Sequence, residues 1–298
     1  DAATAQIDPS KVAERVTANT RCVVPVHLGG ASCDMDAILQ IARDKKLAVV
    51  EDSCQTHTGE WKGKRLGTLG DAGCYSFQNS KNITSGEGGA MVTPREDVYA
   101  RANAFQNQGG GKVANDGKFT ANGGNFRLTN FQGAILREQL KRLDEQSRKR
   151  EANADYLSKL LLEVGGVSAK TKLAGTTRHG YHLYVFQYEP QAFAGMNKTT
   201  FLKALGAEGI PASGGYTALN KASWVEHVVN ARGFRHVYGE QRLKKWKEQN
   251  DSLPANDKMI ETAVWLTQNV LLADRSEMDH IAEAIRRIKL HASAIAKA

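Results

Sequence analysis

Short apolar runs alternate with helix-spaced apolar positions through the first half of the chain. Cys22-Val23-Val24-Pro25-Val26 has the unbroken apolar character of a buried strand, and Leu47-Ala48-Val49-Val50-Glu51-Asp52 reads as a second buried strand ending in two acids. Between them Ile38, Ile41 and Ala42 recur at helical spacing, so residues 35–45 are predicted as an amphipathic helix with Asp34 as its N-cap. Residues 73–77 and 90–93 read as two further strands and 96–107 as a helix. Strand, helix and strand at this spacing form a βαβ unit, which requires a parallel or mixed sheet with helices on its faces.

The pattern changes at 108–124, where Gly109-Gly110-Gly111, Asn115-Asp116-Gly117 and Asn122-Gly123-Gly124 give a loop of low apolarity. Loops of this length are commonly functional. Helical periodicity then runs from Leu128 to Leu162, long enough that a break or bend is expected inside it. Beyond it, 181–188 reads as a strand, and 199–208, 258–268 and 276–290 read as helices. The chain thus divides into residues 1–135, a sheet domain, and residues 136–298, a linking helix with a smaller α+β domain. No internal repeat interrupts this division.

Composition narrows the class. Of 298 residues, 41% are hydrophobic and 24% charged, with 28 Gly and 6 Pro, a globular mixture rather than a disordered, collagenous or coiled-coil one. No apolar run approaches the roughly 18–20 residues of a membrane-spanning helix, so no membrane association is expected. Asp1-Ala2-Ala3-Thr4 has neither basic flank nor apolar core, so no secretory leader is expected. The four cysteines lie in the first quarter without a CxxC pair, which points to a reducing, cytoplasmic setting. The net charge of +8 is concentrated in residues 136–298, with 25 Lys/Arg against 18 Asp/Glu. It falls on helical stretches such as 142–150 and 242–247 and reads as solvated helix faces; without an RNP, KH or recognition-helix pattern, no nucleic-acid partner is expected.

Two places carry candidate chemistry. Asp52 falls where a strand leaves the sheet, with Gln55 three residues on, and open α/β sheets bind ligands at the carboxyl ends of their strands. A carboxylate there needs a positive partner, although a turn acid would look the same. The second place runs from Tyr75 to Gly89: strand, polar loop with the single lysine Lys81, Gly-rich turn, strand. A lysine shielded by apolar walls sheds its proton and becomes a nucleophilic amine, and Ser76 and Ser80 offer hydroxyls for a phosphate. An ordinary surface lysine would have the same composition around it. Gly86-Glu87-Gly88-Gly89 precedes a strand and opens no helix, so it is not a dinucleotide fingerprint, and no P-loop is present. His27, His57, His179 and His182 lack metal spacing and read as structural or surface histidines; without a GxSxG elbow, Ser-His-Asp catalysis has no support.

Taken together, these motifs resemble the DegT/DnrJ/EryC1/StrS family of pyridoxal-phosphate enzymes, the sugar and cyclitol aminotransferases of fold type I. The resemblance rests on Val24-Pro25-Val26-His27-Leu28-Gly29-Gly30, Glu51-Asp52-Ser53-Cys54-Gln55, Gly67-Thr68-Leu69-Gly70-Asp71, Ser76-Phe77 with Lys81 and Gly86-Glu87-Gly88-Gly89. It continues through Gly124–Gln132 and Leu143, Arg148, Arg150 and Asn153, and 29 residues separate Asp52 from Lys81, as in the family. It implies a mostly parallel mixed sheet flanked by helices, with a smaller C-terminal α+β domain.

It also implies roles. Lys81 would join pyridoxal 5'-phosphate covalently and later act as acid and base; Asp52 would pair with the pyridinium nitrogen; Gln55 would approach the phenolic oxygen. Ser76 would bind the phosphate, and Asn125 would reach the phosphate of a neighbouring subunit, implying a homodimer with shared sites. The family's related dehydratases carry histidine in place of the lysine, so Lys81 favours transamination from glutamate or glutamine to a keto-sugar or keto-cyclitol. Ser76-Phe77-Gln78-Asn79 resembles the members acting on cyclitol ketones or making aminohydroxybenzoate. Gly214-Gly215-Tyr216-Thr217 is a candidate substrate-facing turn. Family members carry a further N-terminal stretch with a phosphate-gripping loop, so the chain is expected to lack that part. The alternative expectation is a non-catalytic or weakly cofactor-binding member of the same fold.

Overall fold

The structure is a computed structural model and describes residues 1–110 and 122–297. The first unit runs α1 (Pro9–Arg15), β1 (Cys22–Val23), α2 (Met35–Lys45), β2 (Ala48–Asp52), β3 (Glu60–Trp61), β4 (Lys64–Arg65), β5 (Ala72–Ser76), β6 (Gly89–Val92) and α3 (Glu96–Gln106). Its main sheet has the order β1-β2-β5-β6, with β1, β2 and β5 parallel and β6 antiparallel to β5. The expected mixed sheet is therefore present. Asp34 caps α2 by accepting from the Ala37 amide at 3.1 Å, and the helix buries Met35, Ile38 and Ala42 against Val23, Val49, Trp61 and Leu66.

Three sequence expectations need correction. Residues 22–26 do not form a buried strand: β1 spans two residues, and Val24 and Val26 are 52% and 39% exposed. Among the described residues β1 is an edge strand, so only its β2 side is covered. The long helix, α4 (Asn130–Val164), is unbroken over 35 residues. It contains no Pro, and its one Gly, Gly133, lies in the first turn, so nothing forces a kink. Its two halves serve different cores. Leu136 and Leu143 pack with Ile83, whereas Ala154, Leu157 and Leu161 join the larger cluster of the second unit. The helix starts at a capping box: Thr129 Oγ1 accepts from the Gln132 amide, and Gln132 Oε1 accepts from the Thr129 amide. Thr129→Ala is expected to cost about 1 kcal/mol, read as a lower urea midpoint at unchanged slope.

The third correction concerns residues 258–268. The second unit contains β7 (Val167–Ala169), β8 (Thr176–Arg178), β9 (Leu183–Tyr188), α5 (Lys198–Ala207), β10 (Ala212–Ser213), α6 (Ser223–Asn230) and α7 (Arg232–Tyr238). It continues with α8 (Glu240–Asn250), α9 (Pro254–Thr262), β11 (Ala263–Thr267) and α10 (Arg275–Leu290). The helix thus stops at Thr262, and Ala263-Val264-Trp265-Leu266-Thr267 is a strand paired with β9 along its whole length. Four consecutive buried apolar residues suit a central strand covered on both faces, and helical spacing cannot produce them. The sheet, β10-β11-β9-β7, is antiparallel and packs against α4, α5 and α10. Tyr188 stacks on Phe201 in that core with ring centroids 4.6 Å apart. β8 lies outside this sheet and pairs with β3, forming a small sheet β4-β3-β8 that ties the second unit to the first. Among the described residues no helix is long and apolar enough to cross a membrane.

Candidate active site

β2 and β5 run side by side, and their register sets Asp52 opposite Cys74, two residues before Ser76. The Asp52 backbone is tied on both sides: its carbonyl accepts from the His27 amide at 3.0 Å, and its amide donates to the Pro25 carbonyl at 2.9 Å. Its carboxylate accepts from the Cys54 amide through Oδ1 at 3.1 Å, and Oδ2 has no partner among the described residues. Lys81 sits in the loop between β5 and β6, where its amide donates to the Gln78 carbonyl at 3.0 Å. Its side chain is partly buried, and burial pulls its pKa below the ordinary lysine range; the Asp52 carboxylate acts in the other direction without reversing the shift. Lys81 and Asp52 are therefore electrostatic neighbours. Burial, with Asp52 beside it, pushes the Cys54 thiol up to about 12, so it stays neutral near pH 7.

Gln55 is buried and bridges two loops. Its Oε1 accepts from the Gly29 amide at 2.6 Å and its Nε2 donates to the Tyr216 hydroxyl at 3.0 Å. Tyr216 stands edge-on to Trp265 at 4.6 Å. The 214–217 turn, a candidate on sequence grounds, thus touches a candidate cofactor residue. Lys198 Nζ holds the turn by donating to the carbonyls of Gly214 and Ile260. Ser76 Oγ accepts from the Gln78 amide at 3.3 Å. Asp52, Gln55, Ser76 and Lys81 thus all lie on or just beyond the carboxyl ends of β2 and β5. Asn125 does not join them within one chain. It is exposed and bridges to Asn107. The loop expected at 108–124 falls largely outside the described residues.

Sequence reasoning missed three side chains beside this group. His57 Nε2 donates to the Ser76 carbonyl at 2.8 Å, and its ring lies 6.1 Å from Tyr75 and 6.0 Å from Phe77. Burial holds His57 down at about 4, with Lys81 and Arg150 adding to the effect. His182 is held at about 3 by burial and by the same two cations. Arg150, on α4, is 1% exposed and lowered to about 10 by burial. His182 is buried and His57 half-buried, which fits the structural half of the sequence expectation and not the surface half. The available signal was position: His57 lies two residues beyond Gln55, and Arg150 belongs to a motif of the resemblance.

The other acid of β2 has a different task. Glu51 is fully buried; its Oε2 accepts from His27 Nε2 at 3.1 Å and the Gly67 amide at 2.7 Å, and its Oε1 accepts from the amides of Leu69 and Gly70 at 2.6 and 2.7 Å. Burial alone would raise its pKa, but these donors outweigh it and leave the carboxyl below its ordinary range.

Residues 1–286 match the DegT/DnrJ/EryC1/StrS aminotransferase family. A putative L-glutamine:3-amino-2,3-dideoxy-scyllo-inosose aminotransferase of Micromonospora echinospora is 33% identical, over 98% of this chain and 70% of its own length. The chain belongs to the DegT/DnrJ/EryC1/StrS aminotransferase family. The 3-amino-5-hydroxybenzoate synthase of Amycolatopsis mediterranei is 31% identical over 96% of this chain and 71% of its own length. The crystal structure of a 3-amino-5-hydroxybenzoic acid synthase superposes with a TM-score of 0.82 at 30% identity, covering 97% of this chain and 72% of that one. The architecture is accordingly that of the fold type I aminotransferases. The family's enzymes use pyridoxal phosphate. The donor set here suits that group: a free carboxylate oxygen on Asp52, a partly buried amine on Lys81, a hydroxyl on Ser76, and a second N–H on Gln55 Nε2 beyond the one given to Tyr216.

Proposed function

We propose that this chain binds pyridoxal phosphate through Lys81 and Asp52 and transfers an amino group from glutamine or glutamate to the ketone of a sugar or cyclitol. The observation that supports the reading is that Asp52 ends β2 beside β5, whose following loop carries the partly buried Lys81, on which the Asp52 charge acts. When bound, the cofactor supplies an aldehyde for an amine and a ring that accepts electrons. The chain's residues would do the rest. Partial burial raises the neutral fraction of the Lys81 amine, which is the form that attacks a carbonyl carbon and accepts a proton. Oδ2 of Asp52 would hold a proton at the pyridine nitrogen, its other oxygen being fixed by the Cys54 amide. Ser76 Oγ would donate to the phosphate and Gln55 Nε2 to the ring hydroxyl. Asn125 of a second copy would complete the phosphate site, which makes a homodimer the working assembly. A glutamine-dependent cyclitol ketone is favoured as the substrate class because the scyllo-inosose aminotransferases are among the similar curated proteins.

The test is spectroscopic. Purified protein mixed with pyridoxal phosphate is expected to develop a visible band near neutral pH, and L-glutamine is expected to bleach it. Protein that shows no band at millimolar cofactor would be the weakly binding relative instead.

A further inference from the structure

α6, α7 and α8 are 8, 7 and 11 residues long, and none of them buries a side chain. Helices this short are not held by their own hydrogen bonds; they need an apolar face packed against something. Here the apolar side chains line a cavity of about 610 Å³. Its wall carries Trp224 and Val228 from α6, Phe234 and Tyr238 from α7, and Leu243 and Trp246 from α8. The two tryptophans are 57% and 42% exposed, so this would-be core is open to solvent. The ends of the segment are tied together, since Asn220 Nδ2 donates to the Asn250 carbonyl at 2.6 Å. None of Asp52, Gln55, Ser76 and Lys81 lines the cavity.

Size and charge say what fills it. A mostly apolar concavity of this volume suits one small molecule, whereas a stable protein contact covers about 800 Å² of each partner. Residues 232–247 hold six Lys/Arg and one Glu. Arg235 is paired with Glu240 and Lys247 with Glu226. Arg242 is in the cavity wall, with its guanidinium carbon 5.3 Å from the Tyr238 ring centroid, and no carboxylate pairs with it among the described residues. Its planar fork matches a carboxylate. Asn220 Oδ1, a buried wall atom without a partner among the described residues, is an acceptor and offers an anion nothing, so the head group belongs at Arg242.

We propose that the cavity between α6, α7 and α8 binds a free single-chain carboxylate of the fatty-acid type, with its tail among the aromatic side chains and its carboxylate on Arg242. The site is separate from the transfer reading and needs no cofactor. Burying the tail gives the three helices the core they lack, and the exposed patch is covered.

The experiment uses the full chain and ω-bromoundecanoate, kept below its micelle concentration, whose bromine quenches tryptophan on contact. Trp224 and Trp246 line the cavity, whereas Trp61 and Trp265 are buried elsewhere. Saturable quenching is expected in the wild type and is expected to vanish in the Trp224→Phe/Trp246→Phe protein. Arg242→Gln is expected to weaken the carboxylate at least ~10-fold, the loss of a hydrogen bond to a charged group, and to leave ω-bromoundecanol unchanged. Val228→Phe, which fills the cavity, is expected to block both probes. Absence of saturable quenching in the wild type overturns the site, and quenching that survives in the double tryptophan variant places the ligand elsewhere and does the same. Equal affinity for the acid and the alcohol, or an Arg242→Gln protein that binds the acid as the wild type does, overturns the carboxylate assignment. Ligand-free protein that sediments as a dimer and becomes monomeric with Val228→Phe would give the cavity to a second copy and overturn the proposal. If Val228→Phe does not fold, Arg242→Gln decides, because that side chain is exposed and makes no ion pair among the described residues.

Discussion

Lys81→Ala is expected to erase the visible band that pyridoxal phosphate gives with the wild-type protein and to lower amino transfer by at least ~10²–10⁴-fold, the range lost with a positioned acid–base group. The loss should be chemical rather than structural. Lys81 makes no side-chain hydrogen bond among the described residues, and its amide bond to the Gln78 carbonyl survives any substitution except proline. Removing it also removes one of the two cations acting on His57 and His182, so their ring pKa values should rise slightly rather than fall. Lys81→Arg separates charge from nucleophilicity: it restores the positive charge beside Asp52 but offers no amine that loses its proton near neutral pH. Both variants should keep the wild-type urea midpoint to within about 0.5 kcal/mol, as expected where no packed core group is removed. A persisting band in either variant would place the covalent attachment elsewhere and end the assignment.

What was legible beforehand follows a physical line. α2, β2 and β5 were readable because their apolar spacing, cap and run lengths are local properties; Asp34 caps as its position predicts. The chemistry of Asp52 and Lys81 was readable only through motifs taken together, since each alone is an ordinary turn acid or loop lysine. β11 was misread because Met259 and Ile260 lend a helical phase to residues that only pairing with β9 turns into a strand. The exposure of Val24 and Val26 could not be inferred, because a strand's sequence does not say whether its far edge is covered. Arg150 was hidden for a related reason. On a helix its charge reads as solvent-facing, and only the fold shows that this turn of α4 lies against Gln268, where the guanidinium is shut in. Glu51 and Asp52 were seen as a pair of acids, but alternation along the strand sends one into the interior and leaves the other at the ligand end.

That division gives the second large expected effect. Glu51→Ala should destabilise the protein by about 3–5 kcal/mol, because several buried donors lose a charged acceptor, each at about 1–3 kcal/mol. It strands His27 Nε2 and the amides of Gly67, Leu69 and Gly70, all of which lose their acceptor at once. Glu51→Gln should fall between the two. An amide oxygen at the Oε1 position still accepts from Leu69 and Gly70, but its NH₂ then faces two donors, the Gly67 amide and His27 Nε2. His27 cannot relieve the clash by changing tautomer, because its Nδ1 accepts from the Cys33 amide at 3.2 Å. The pH dependence carries the same signature. The folded carboxyl lies below its unfolded value of about 4.5, so the stabilisation is complete above that pH and is lost as pH falls through the folded value. Urea unfolding from pH 7 down to pH 3.5 should therefore show a wild-type decline that Glu51→Ala flattens; parallel declines would mean that another carboxylate governs acid stability. The consequence reaches the site as well, since the His27 amide holds the Asp52 carbonyl. Loosening His27 frees the backbone that aims Asp52, so Glu51→Gln should weaken cofactor binding even under conditions where the protein is still folded.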